Sequence, residues 1–406
     1  MEDVRVRLDL KRQPPSSQTY YPHVEGLRGV AALYVFLYHI WQTGISHTGA
    51  TLAVLLPITL PWLQFGHFAV AVFIVISGYC LGLPVAQRID AVFDARRFAR
   101  RRIRRLAPAY VLALFLSLIP FFATAALRGQ HVPLWHVGVA IIAHLALVHN
   151  LSSALNEYLN GPMWSIALEC QIYVVFALLL IPVWKRFGPW AQLAVALVLG
   201  LLPHFMFRGR VDYTISWLLA LFAMGVVAAH VTARGGLAGR GWRLAAFAGA
   251  LAALVVILPQ GDAAADGALW PADLVVGAAV AMLFVTSDRD KLPWTTRLLS
   301  LRPIVTLGTF SYSLYLVHGP LVLMVGAALA RFHVGVVGSA LAYGALIPLV
   351  VGLAYGFYRI AERPFLSAGF RAAVDASHRS ADAAGRLEER PVRLQEPSLV
   401  PEYEGL

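Results

Sequence analysis

Apolar runs of about 18 residues or more recur from Val24 to Arg359, separated by short connectors. A helix of that length crosses the hydrocarbon core of a bilayer, which is about 30 Å thick. The chain is 59% hydrophobic and 14% charged, against about 25% charged for a typical soluble domain, so it lacks the polar surface a soluble fold of this size needs. The expected fold class is therefore all-α: a polytopic integral membrane protein with about ten transmembrane helices and a re-entrant segment.

The net charge of +11 over 406 residues would suit a nucleic-acid partner if it lay on one soluble face. Instead the arginines sit in connectors beside apolar runs, where they act as topology signals and contacts for lipid headgroups. Nucleic acid is set aside, and membrane lipid is the expected surface partner. Cys80 and Cys170 both fall inside apolar segments, so neither a disulfide framework nor a metal site is expected. The first apolar run follows a polar start and carries Arg28 and His39, which argues against a cleaved signal peptide.

Residues 1–22 hold Arg5, Arg7, Lys11, Arg12 and a Pro14-Pro15 pair, the composition of a disordered basic tail, cytoplasmic by the positive-inside rule. Val24 to Trp41 is the first span, followed by an uncharged loop from Ile45 to Gln64. A second span, Phe65 to Val85, returns to a connector with eight arginines between Arg88 and Arg105, which must be cytoplasmic. The third span is Pro108 to Leu127. Trp135 to His149 is apolar but short. If it crossed, Lys185, Arg186, Arg234, Arg240 and Arg243 would all lie outside, so a re-entrant segment is expected there. The remaining spans are Pro162 to Trp184, Trp190 to Phe207, Tyr213 to Val231, Trp242 to Leu258, Pro271 to Thr286, Ile304 to Ala330 and Val336 to Arg359. A transmembrane domain over 23–365 and a disordered cytoplasmic tail over 366–406 follow, in the inner membrane with both termini cytoplasmic. The chain has no internal repeat of the transporter kind.

Several ionisable residues lie inside these spans, where each is costly unless it faces protein, water or a ligand. Arg28 and His39 share one helix face, separated by three turns plus roughly 20° and a rise of roughly 16 Å. In LNGPMWSIALECQIYVV, Asn160 is expected to cap the helix, and Ser165, Glu169 and Tyr173 follow at i, i+4 and i+8 on one face. His318 lies in LGTFSYSLYLVHGPL. Counting from the helix ends puts His39 and His318 roughly 21–22 Å from the inner face and Glu169 roughly 10 Å below the outer one, all at one level. That level suggests His39 paired with Glu169, which would orient the imidazole and make it a better base. Arg101, Arg102 and Arg105 fall within little more than one turn, and guanidinium groups held this way suit bidentate phosphate binding as well as a simple topology role. Asp94 and Glu362, at inner helix ends, are expected as ion-pair partners of these arginines.

These stretches resemble the membrane-bound acyltransferase 3 proteins, in the family's order and over most of the chain from Val24 to about Pro364. EGLRGVAAL followed by His39 resembles an Arg-x10-His signature, and FGHFAVAVFIVISGY resembles the family's glycine-to-SGY segment. Arg101, Arg102, Arg105, Pro108 and Tyr110 match its arginine-proline-tyrosine run. WSIALECQIY and FSYSLYLVHGPL resemble two further motifs. Glu25 stands where Asp is common, Cys170 where a second Glu is frequent, and Val317 where Trp is usual.

The resemblance implies transfer of an acyl group, commonly acetyl from acetyl-CoA, to a hydroxyl of a sugar, a cell-surface polysaccharide or a secreted metabolite. It gives His39 the catalytic role and Arg28 a donor-binding or structural one. Glu169 and His318 join them as site residues. Acyl-CoA as donor co-substrate is expected on Arg101, Arg102 and Arg105, with no metal, and acyl delivery by the membrane domain alone. A membrane transporter or flippase is the alternative, since it too would want ionisable groups at mid-depth.

Overall fold

The computed structural model describes residues 21–48, 61–236, 269–286, 293–369 and 371–372, with scattered helical positions between 242 and 255. Much of the expected span Trp242 to Leu258 and most of the two expected tails lie outside the described residues. Tyr21–Leu366 forms one compact unit, and every regular element described in it is helical. Twelve helices are used below: α1 Pro22–Thr48, α2 His67–Ala86, α3 Ala95–Leu127, α4 Leu134–Leu145, α5 Met163–Phe187, α6 Pro189–Met206, α7 Leu218–Ala233, α8 Trp270–Thr286, α9 Pro293–Leu299, α10 Arg302–Thr309, α11 Ser311–Arg331 and α12 Val336–Phe357.

Among the described residues, seven helical stretches are long and apolar enough to cross a membrane: Trp62–Ala86, Ala95–Leu127, Met163–Phe187, Pro189–Met206, Asp212–Ala233, Ser311–Arg331 and Val336–Phe365. Leu134–Leu145 and Trp270–Thr286 are apolar but shorter. Large side chains on the bundle's periphery are exposed, Ile119 at 70% and Val337 at 71%, as they are where lipid rather than water is the neighbour. The chain is a multi-pass membrane protein.

The arginine run is not a loop ahead of the third span. It is the first three turns of α3, which starts at Ala95 because the Asp94 side chain accepts from the Arg97 backbone N–H at 2.8 Å. Asp94 is therefore a helix cap, and among the described residues it makes no ion pair of the kind expected. The expected single span from Ile304 to Ala330 is also divided. α10 ends at Thr309 and α11 begins at Ser311, with Phe310 between them at φ −116° and ψ 17°. Gly308, Thr309 and Phe310 are weak helix formers, and α10 turns aside to pack on α1.

The centre of the bundle is α7, whose flanks meet α2, α6 and α8. Two bare glycines set the α2–α7 distance. A Cβ on Gly78 would lie 2.0 Å from the Phe222 carbonyl oxygen, and one on Gly225 would lie 2.1 Å from that of Val75. Small residues allow this backbone approach between apolar helices. In a second group of contacts α1, α3 and α12 pack around α11. α5 carries a π-helical turn over Phe176–Leu180, a feature often found near functional sites.

Candidate active site

The bundle encloses polar chambers at two levels. The first, of about 100 Å³, is lined by Arg28, Ser77, Arg102, Arg105 and Glu169. Ser165, Glu169 and Tyr173 all reach it from the face of α5 that their spacing picks out. Glu169 Oε1 accepts from Ser77 at 2.6 Å and from the Tyr173 hydroxyl. Its carboxylate interacts electrostatically with Arg28 and Arg102. Arg28 also contacts Glu25 at 3.4 Å. Glu362 is 2% exposed, accepts from Ser313 at 2.6 Å, and interacts with Arg105 and Arg28. Arg101, though one turn from Arg105, is exposed and absent from the lining. Arg102 turns inward, its Cζ 5.9 Å from the centre of the Phe98 ring.

The second chamber, of about 520 Å³, is lined by His39, Gln42, His67, Glu157, Trp164 and Asp212, among others. His39 is hydrogen-bonded to Gln42, and its ring lies 5.2 Å from that of His318. His318 is fully buried; Nδ1 donates to the Leu314 carbonyl at 3.0 Å, while Nε2 has no hydrogen-bond partner among the described residues. A neutral imidazole that donates through Nδ1 keeps its lone pair on Nε2, so a buried, unused acceptor sits on the residue whose ring adjoins His39.

The depth count therefore brings His39 and His318 together as expected, but it does not bring Glu169 to them. The carboxylate belongs to the arginine chamber, held by Ser77 and Tyr173. Equal depth fixes one coordinate, and lateral position in the bundle fixes the other two. Asn160 likewise does something other than cap α5. Its Nδ2 donates to Ser117 Oγ and to the Leu316 carbonyl, both at 2.9 Å, tying the start of α5 to α3 and α11.

One group in the second chamber was missed by the sequence argument. His67 Nε2 lies 3.0 Å from Asp273 Oδ2, and Trp217 Nε1 donates to the same oxygen at 2.7 Å. Asp273 is fully buried. A carboxylate in the first turn of an apolar helix was the available signal, because burying it demands a partner. His67 stood in the motif-bearing stretch without being marked.

A family model described as an acyltransferase domain matches residues 21–359. The protein named O-acetyltransferase OatA from Staphylococcus aureus strain NCTC 8325 / PS 47 is 23% identical over 394 residues, covering 90% of this chain and 60% of that protein. The OatA of Staphylococcus aureus strain COL matches with the same identity and coverage. The chain thus spans about three fifths of the length of these curated relatives. No solved structure matches.

Proposed function

This chain belongs to that acyltransferase family, and from that premise we propose that it is a membrane O-acyltransferase, moving an acetyl group from acetyl-CoA to a hydroxyl of a sugar, polysaccharide or secreted metabolite. The observation that carries the proposal is the division of labour between the chambers. Cations line one, and His39 lines the other. A phosphorylated thioester donor suits the first, since guanidinium groups pair with phosphate. A polyhydroxyl acceptor suits the second, whose Trp164, Tyr213 and Trp217 rings and Glu157 and Asp212 carboxylates offer stacking faces and hydrogen-bond acceptors.

In this reading Arg102 and Arg105, with Arg101 at the rim, hold the CoA phosphates, and Arg28 lies on the path of the pantetheine arm. His39 takes the proton of the acceptor hydroxyl as its oxygen attacks the thioester carbonyl, and CoA leaves as the thiol on receiving that proton. An acyl-imidazole at His39 is the two-step variant of the same chemistry. His318, buried with its ring against that of His39, backs the imidazole from within the bundle.

The arginine chamber faces the cytoplasm of the inner membrane in this reading, with both termini on that side and ten helices crossing. Support comes from the bundle's ends. Lys185 Nζ donates to the Ala91 carbonyl, so the α5–α6 turn and the arginine-rich stretch share one end. The short α4 is followed by contacts that return toward the start: Tyr110 OH donates to the His144 carbonyl, Gln171 to that of Leu147 and Tyr213 OH to that of Leu151. A re-entrant segment accounts for that sequence of partners.

Release of free CoA from acetyl-CoA by the purified protein tests the proposal. The wild type should release CoA, faster when a sugar acceptor is added. His39→Ala should lose about 10² to 10⁴ in that rate, the usual contribution of a general base. Wild-type protein that binds sugars but leaves acetyl-CoA intact would sink the enzyme reading in favour of transport.

A further inference from the structure

The chambers meet at one place. Among the described residues that line them, Val70 of α2 and Tyr315 of α11 border both. Tyr315 is 7% exposed and Val70 6%, so the boundary lies inside the bundle. The Tyr315 ring meets Phe73, a wall of the arginine chamber, edge-on at 6.1 Å. It also meets His318 at 5.6 Å, and His318 adjoins His39. The ring therefore stands between the cations and the imidazoles.

Its hydroxyl is fixed. Ser165 Oγ donates to the Pro162 carbonyl at 3.2 Å, which leaves the serine oxygen to accept from Tyr315 OH at 2.7 Å. Both groups are buried, where a hydrogen bond is costly to leave unmade. The bond holds the ring across the boundary between α2, α5 and α11.

We propose that Tyr315 is the partition the acyl group crosses to reach His39, and that its ring selects short acyl chains. The inference rests on the reading that acyl-CoA is held at the arginine end. Below the ring the chamber measures about 100 Å³, against about 520 Å³ above it, so a donor waits in the smaller space with its thioester against the ring. The passage opens when the tyrosine hydroxyl leaves Ser165 and the ring swings from Val70. A two-carbon acyl group needs a small swing, and each added methylene needs a larger one. Closed, the ring keeps acceptor-side water from the thioester. No covalent bond changes in this step; the transfer chemistry remains that of His39.

The test uses the full chain in liposomes with Cys170→Ser, which leaves Cys80, a wall of the arginine chamber, as the sole thiol. A charged methanethiosulfonate applied from the His39 face should spare Cys80 in this background and label it when applied from the arginine face. Tyr315→Ala should raise labelling from the His39 face on the order of tenfold or more. Tyr315→Phe and Ser165→Ala, which keep the ring, should raise it roughly two- to tenfold, the range one net hydrogen bond carries. In parallel, acceptor-free CoA release from acetyl-, butyryl- and hexanoyl-CoA should favour acetyl in the wild type and lose that preference in Tyr315→Ala. If Cys80 labels equally from both faces before any change at Tyr315, the partition is overturned. It is also overturned if all three variants keep the parent's labelling and acyl preference while the protein consumes acetyl-CoA. A protein that shows the labelling pattern but ignores every acyl-CoA overturns the acyl-selection role and the donor reading together.

Discussion

Glu169 shows what one side chain's surroundings decide. The sequence puts it at the depth of His39, and the structure puts its carboxylate between Ser77, Tyr173 and the arginines. A carboxylate beside His39 would raise the imidazole's basicity, so removing it would move the acidic limb of the pH–rate profile to lower pH. Here the charge stands in the other chamber. Glu169→Gln is therefore expected to leave the acidic limb of kcat/KM in place while changing the apparent affinity for acyl-CoA. A limb displaced to lower pH would return Glu169 to His39. The identity of His39, Arg28, Glu169 and His318 as polar groups inside apolar helices was legible in the sequence, because each interrupts a run that is otherwise mostly apolar. Who faces whom was not. Asn160 reads as a cap by position, yet its amide finds Ser117 and Leu316, partners 43 and 156 residues away. His67 and Asp273, 206 residues apart, are equally invisible to local pattern.

At the scale of helices, hydropathy located most spans within a few residues, since the bilayer sets their length. Starts and breaks depended on finer chemistry. The Asp94 cap converts an apparent arginine loop into three turns of α3, and the Gly308–Phe310 stretch ends α10 where hydropathy continues. The contact between α2 and α7 carries its own expectation. A methyl group on Gly225 would be 2.1 Å from the Val75 carbonyl oxygen, so Gly225→Ala must push the two helices apart. Overpacking of this kind typically costs about 1–3 kcal/mol. The variant should melt at a lower temperature in detergent than the wild type, as followed by loss of its monodisperse gel-filtration peak. An unchanged melting temperature would mean that the helices are not in backbone contact there.

For the whole molecule, the proposed orientation puts the arginine-rich end in the cytoplasm by the positive-inside rule, and the bond from Lys185 to Ala91 gathers two basic segments at one end. Cysteines placed at Arg186 and Arg210, both exposed, in a background without Cys80 and Cys170, should react with an impermeant maleimide from opposite faces of sealed vesicles. Reaction of both from one face would overturn the ten-span arrangement. The pairing of His67 with Asp273 has a consequence in time as well. The aspartate is made 206 residues after the histidine, about 10 to 40 s later at a synthesis rate of about 5–20 residues per second. Throughout that interval α2 carries a polar group awaiting its carboxylate, and for most of it the α7 backbone that Gly78 approaches is missing as well. An unfinished chain is thus a partly polar helix in lipid, the form in which the cell's insertion and quality-control machinery first meets this protein.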